Sequence, residues 1–220
     1  MLVKKLMERI HRKYAGDTKY PQPGSGTYDL YLGHANDFKH DWATDPDNRW
    51  KSLLEPTERS LGTATGSKNY ALDDSIIDVS DWVYIDTLSG QRRRYSVVKA
   101  KDRSLSARSV YLTGQDPKSL NFTDDMPDEV IGGTIRALCF IEPDDMKSPG
   151  GTVPVDRPGW VALSVAGELA RNDPAKDDQF PDINGQANDE WDKMVSANNS
   201  LPANQVDDVP IDGFYQGGDC

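Results

Sequence analysis

The chain has 220 residues, 36% hydrophobic and 28% charged, with a formal net charge of −11 and a mean hydropathy of −0.68. That length suffices for one sizeable core, and no apolar run approaches the ~20 residues of a membrane-spanning helix. The acid is concentrated in the second half, since residues 1–113 carry 18 Lys and Arg against 15 Asp and Glu while residues 114–220 carry 7 against 21, which argues against a nucleic-acid reader with a broad basic face.

Leu2, Val3, Leu6, Ile10 and Tyr14 recur at helical spacing, and Gly16 with Asp17 closes the segment. Lys4, Lys5, Arg9, Arg12 and Lys13 lie between them, too densely charged for the apolar core of a signal peptide, so a soluble intracellular product is expected. These cations and the run Arg92, Arg93, Arg94 are the basic clusters of the chain, read as solvated or partner-facing patches between subunits. Pro21, Pro23, Gly24 and Gly26 break the chain before a second helix, with Thr27 as N-cap and Tyr28, Tyr31, Ala35, Phe38 and Trp42 on one face. His34 and His40 in that helix lack an acidic or thiol partner at ligand spacing, and no metal site is expected from them.

After a short apolar turn at Trp50, Leu53 and Leu54, Leu61 to Gly66 reads as an exposed polar connection. The period then changes to two. Trp82–Ile85 and Tyr95–Val98 flank a turn at Ser89 and Gly90 and predict a hairpin, Val110–Leu112 and Ile131–Ile141 predict further strands with a bend at Gly132 and Gly133, and Thr113 to Glu129 reads as a long loop.

The stretch VDRPGWVALSVAGELARND, residues 155–173, predicts the helix on which the others pack. Trp160, Leu163, Ala166, Gly167 and Ala170 share one face, and the small residues let a neighbouring helix approach closely. Ile183, Ala187, Trp191, Met194 and Val195 give a last helix. Ser200 to Cys220 has no period but holds Val206, Val209, Ile211, Phe214 and Tyr215, which reads as an extended arm whose apolar hooks bind a partner or a neighbouring subunit. Cys139 and Cys220 form neither a disulfide framework nor a metal quartet.

No phosphate-binding loop, dinucleotide fingerprint, nucleophile elbow or zinc-protease motif is present. The pairs Asp73–Asp74, Asp124–Asp125, Asp144–Asp145 and Asp207–Asp208 lack the spacing of a calcium loop. No enzyme, cofactor or metal is expected. The pattern is α+β: a small helical bundle formed by residues 1–66 and 156–199, an inserted antiparallel β module at 67–155, and an extended C-terminal arm at 200–220.

Two passages, RWKSLLEPTERSLGTATGSKNYALDDSIIDVSDWVYID and FIEPDDMKSPGGTVPVDRPGWVALSVAGELARND, together with the element order, resemble the head-to-tail adaptor (connector) proteins of tailed bacteriophages. The resemblance implies a helical bundle with a projecting β module, assembled as a ring of about twelve copies in the virion neck after a stage in the host cytoplasm. It implies docking on the portal protein and connection to a tail tube, nozzle or tail-completion protein, with genomic DNA passing through unbound and no membrane contact. A tail-completion or stopper protein is the neighbouring reading. A carbohydrate- or receptor-binding module built on exposed Trp82, Tyr84 and Tyr95 is the reading of a different class.

Overall fold

The computed structural model describes residues 1–17, 19–102, 108–114 and 118–200. Among them the chain forms α1 (Val3–Ala15), α2 (Gly26–Ala43), strands β1 (Arg59–Thr63), β2 (Asn69–Ala71), β3 (Ile76–Asp86), β4 (Arg92–Val97), β5 (Ser109–Thr113), β6 (Ser119–Phe122) and β7 (Thr134–Ile141), then α3 (Pro158–Arg171) and α4 (Phe180–Ser200).

The seven strands make one mixed sheet in the order β1-β7-β3-β4-β5-β6-β2, antiparallel except for the parallel pair β4 and β5. Consecutive strands β1 and β2 lie at opposite edges, although only residues 64–68 join them. That link spans about 20 Å at full stretch, whereas the edges of a flat sheet of this width stand about 29 Å apart at ~4.8 Å per strand. The sheet must therefore curl, and it does so into a near-barrel. The link is tied to both sides, with Ala64 N donating to Gly133 O at 2.8 Å and Phe122 N to Lys68 O at 2.8 Å. At Gly133 a Cβ would stand 2.6 Å from the carbonyl of Asp86, so the close approach of β7 to the end of β3 requires glycine there.

The inward face of the near-barrel carries Val79, Val83, Ile85, Tyr95, Val110, Leu120, Phe122, Ile135, Ala137 and Cys139, all buried. On β7 the alternation sends Ile135, Ala137 and Cys139 inward and Phe140 outward into the helical core, so this strand is covered on both faces at its end. Ile77 and Leu54 pack against the same helical core, and Leu54 bridges Phe140.

The helices form a layer on that outer surface. Central α3 buries Trp160, Ala166, Gly167 and Ala170 and contacts each of the other three helices. Trp42, Trp50, Trp191, Trp160 and Phe38 run as a continuous aromatic seam, with ring centroids 5.7, 5.4, 4.9 and 6.0 Å apart in that order. Asn198 of α4 fixes the loop before the seam: its side-chain carbonyl accepts from Lys51 N at 2.9 Å and its amide donates to Arg49 O at 2.9 Å.

Residues 142–155 form a strap between sheet and helices. Leu2 has no side chain to cap α1, and the strap supplies acceptors instead, with Val3 N donating to Gly151 O and Lys4 N to Pro149 O, each at 2.9 Å.

The expected architecture is corrected by these observations. The sheet is not a module inserted into a small helical bundle; it is a seven-stranded near-barrel on which four helices pack. Its first strand, Arg59–Thr63, runs into the stretch from Leu61 expected to be a polar connection, because an edge strand with one apolar residue in five shows no alternation. It is mixed rather than antiparallel, and the predicted long loop contains β6. Ser25, not Thr27, caps α2, its Oγ accepting from Tyr28 N at 3.2 Å. The arm at residues 201–220 lies outside the described residues.

At Gly167 a Cβ would meet Ile183 Cγ2 at 3.6 Å and the Phe180 ring at 4.0 Å, ordinary contact distances. Gly167→Ala is therefore expected to stabilise the fold by up to about 1 kcal/mol through helix propensity. Gly167→Leu, which overfills the contact with α4, is expected to destabilise it by about 1–3 kcal/mol. Urea unfolding of the two variants checks both signs.

Candidate functional site

The basic residues divide into two kinds once the chain is folded. Arg92 to Arg94 lie on β4 beside β3, where side-chain alternation sets them among carboxylates and aromatic rings. Arg92 donates to Asp86 at 2.7 and 3.1 Å and to Glu58 at 2.9 and 3.0 Å, and its guanidinium lies 4.8 Å from the Tyr84 ring centroid. Arg136 adds a bond to Asp86 at 3.0 Å. Hydrogen bonding from Arg92 holds the Asp86 carboxyl below its usual range, and the same bond holds the Arg92 guanidinium above its own. Arg93 pairs with Glu129 at 2.6 Å, and Arg94 stacks on Trp82 at 4.0 Å. This run is an internal brace on the near-barrel, not a free patch.

The cations of α1 are different. The buried stripe Val3, Leu6, Met7 and Ile10 turns Lys4, Lys5, Arg9 and Arg12 outward, and all four are exposed. Lys5, Arg9 and Arg12 make no ion pair among the described residues. Lys4 rests 5.6 Å from the Tyr20 ring and Lys13 bonds the Gln186 side chain at 2.8 Å. A shallow groove of about 270 Å³ is lined by Lys5, Glu8, Arg9, Arg12 and Lys13, and the Arg9 guanidinium lies against Gly159 at the start of α3.

On α4 the buried residues Ile183, Ala187, Met194 and Asn198 leave Asp182, Asp189 and Asp192 on the outer face. Asp182 accepts from the Gln186 amide at 2.9 Å; none of the three makes an ion pair among the described residues.

Sequence reasoning missed a second polar centre. Lys39 is 2% exposed, and its ammonium donates to Glu142 Oε1 at 3.1 Å, Pro143 O at 2.7 Å and Asp145 Oδ1 at 2.8 Å. His40 meets the same Glu142 oxygen at 2.9 Å, so this histidine does have an acidic partner, about a hundred residues away and invisible to local spacing. No group of His, Cys, Asp or Glu able to hold a metal ion occurs among the described residues. Beside this centre a cleft of about 560 Å³ lies between sheet and helices, lined in part by Arg49, Asp78 and Lys118. Arg49 is held by Asp78 at 2.7 Å and Asp81 at 3.0 Å, and Lys118 donates to the carbonyl of Ile77, with burial lowering its pKa.

Of the remaining expected residues, Trp160, Ala166, Gly167, Ala170 and Trp191 meet in the helical core. Val206, Val209, Ile211, Phe214 and Tyr215 lie outside the described residues. Trp82, Tyr84 and Tyr95 do not share a surface: Tyr95 faces into the near-barrel, 5.0 Å from Phe122, while arginines cover the rings of Trp82 and Tyr84. No protein-family model matches the chain, and no curated protein matches it at a significant level.

The carboxylates Asp86 and Asp145 carry a pH dependence of known sign. Hydrogen bonds from Arg92 and Lys39 depress their native pKa values below those of the unfolded chain. Their contribution is thus complete above the ordinary carboxylate range near pH 4 and is lost as pH falls through the depressed values. Urea midpoints measured from pH 7 down to pH 2.5 are expected to fall in that window, and Asp145→Asn is expected to flatten the fall. Burial pushes the Cys139 thiol up to about 12, so peptide-resolved alkylation at pH 8 is expected to label it only in denaturant.

Proposed function

We propose that this chain is a structural protein of a tailed-phage neck: a head-to-tail adaptor, without catalysis, that docks on the portal as a ring of about twelve copies. In this reading it joins the portal to a tail tube, nozzle or tail-completion protein and lines part of the DNA channel. The proposal rests on the sequence resemblance, and one structural observation supports it most: the subunit has two chemically unlike ends. Ile77, near the start of β3, packs on the helical layer, and the hairpin tip at Thr87–Gln91 lies roughly 30 Å further along the strand. At that tip Leu88 is 83% exposed and Ile131 on the neighbouring turn is 41% exposed.

A small apolar tip at one end and a charged helical layer at the other suit a subunit that bridges two different partners. The net charge of −11 also suits a conduit, since an acidic wall repels phosphates and lets DNA slide without being held. Val206, Val209, Ile211, Phe214 and Tyr215 are proposed to supply apolar contacts to the portal or a neighbouring subunit.

Native mass spectrometry of the purified chain alone and with the portal protein of the same virion tests the reading. A monomer alone and a ring of about twelve on the portal are the expected results. A free monomer or trimer that ignores the portal and is retained on a glycan array would overturn it. Deleting residues 204–220 is expected to abolish portal binding with the melting temperature unchanged.

A further inference from the structure

We infer that the cationic face of α1 is the seat for the carboxylate face of α4 on a second copy of this chain. The inference rests on the ring reading above and names the lateral contact that such a ring would use.

Three observations carry it. The first is selectivity of pairing: the arginines of the β4 run are bonded within the chain or stacked on rings, whereas Lys5, Arg9 and Arg12 are exposed without a carboxylate partner among the described residues. The second is complementarity. Asp182, Asp189 and Asp192 form an outward stripe on α4, equally free of ion pairs among the described residues. The third is register: Lys5 and Arg12 are two helical turns apart on one face of α1, and Asp182 and Asp189 are two turns apart on one face of α4, so each pair spans about 10 Å at 1.5 Å per residue. A helix-on-helix approach can therefore bring two cations opposite two carboxylates at once. Glu8 lies within the cationic face, and Lys193 beside the acidic one is engaged by Glu190 at 3.0 Å.

The two faces belong to different helices, so a contact between them is head-to-tail, the kind that closes into a ring when the rotation permits. Exposed pairs of this kind are weak and screened, with a Debye length of about 8 Å at physiological salt. The isolated chain is thus expected to associate only at low salt and high concentration, with stable assembly left to a template that aligns the copies.

Charge exchange tests the contact. The triple variant Lys5→Glu, Arg9→Glu, Arg12→Glu makes both faces acidic, and Asp182→Lys, Asp189→Lys, Asp192→Lys makes both basic. Full-length wild-type chain, half of it ¹⁵N-labelled, is treated with a zero-length carbodiimide cross-linker at low ionic strength. Mixed-isotope peptides joining Lys5 or Lys13 to Asp182 or Asp189 are expected. The yield of inter-copy Lys13 cross-links should fall at least about tenfold in the α1 variant. The α4 variant, which lacks the reacting carboxylates, is read instead by loss of inter-copy association in sedimentation velocity at low ionic strength. Inter-copy dimer, now joined from the introduced carboxylates of one variant to the introduced lysines of the other, should return when the two are mixed. Unchanged circular dichroism melts of the variants establish that they fold. Absence of inter-copy cross-links in the wild type, cross-links at other surfaces, or failure of the mixture to recover would each overturn the contact. Retention of a DNA duplex that is lost in the Lys5, Arg9 and Arg12 variant, without inter-copy cross-links, would assign the face to phosphate and overturn it too. If rings still form on the portal with both variants, the adaptor reading stands and this contact does not; if the wild type forms no ring on the portal, the adaptor reading itself fails.

Discussion

The ammonium of Lys39 is the joint between the two halves of the molecule. It is buried between α2 and the start of the strap that leaves β7, and a cation there is tolerable only because three oxygens surround it. Removing a charge from water costs several kcal/mol, so the site is stable only with the strap in place. The bonds of Asn36 to Met146, at 3.2 Å from its amide to the carbonyl and 2.9 Å from the backbone N–H to its Oδ1, continue the same attachment. Once held, the strap completes α1 by accepting from its first N–H groups, and α1 in turn covers α3. Loss of the clamp therefore reaches the face of α1 on which the docking surface lies.

The aromatic seam gives that joint its stiffness. Four of the five tryptophans stack in sequence from α2 through the loop at Trp50 to α4 and α3. Within it the indole N–H groups of Trp42 and Trp50 are buried and have no hydrogen-bond partner among the described residues, and the same holds for the Tyr28 hydroxyl elsewhere in the helical core. Each such group costs about 1–3 kcal/mol. A buried tryptophan removes about 200 Å² from water, which at ~25 cal/mol/Å² contributes about 5 kcal/mol, so ring burial outweighs the lost hydrogen bond. The seam is thus stabilising in spite of its unsatisfied donors.

The helices were legible in the sequence because each carries its own period: of the first stripe Val3, Leu6 and Ile10 are buried as expected, while Leu2 is exposed, Tyr14 is half-buried and Met7 joins them, and the small face Ala166, Gly167, Ala170 is buried throughout. The hairpin of β3 and β4 was legible for the same reason. The sheet as a whole was not, since its closure depends on β1 and β2, one an edge strand with little apolar content and the other three residues long, and on a parallel pair that no turn announces. The Lys39 clamp was hidden by distance: its partners stand more than a hundred residues on, and a lysine within a helix reads as a solvated face. Basic runs alone could not distinguish the braced arginines of β4 from the open cations of α1, because the carboxylates that occupy the former come from β3, the turn before β1 and the turn before β7.

That last distinction decides which charges can act outside the chain. A guanidinium already bonded to two carboxylates, as Arg92 is, has four of its five N–H donors engaged, and a partner would have to break some of those bonds to gain a two-pronged contact with it. A cation held only by water loses less on meeting an anion. The near-barrel thus uses its arginines for its own cohesion, while the helical layer keeps Lys5, Arg9 and Arg12 on one helix and Asp182, Asp189 and Asp192 on another. Because these six residues make no ion pairs within the described chain, their contribution to folding is small, and their segregation bears on association instead. The fold sets this separation through the buried stripe of each helix, which fixes the faces that α1 and α4 turn to solvent.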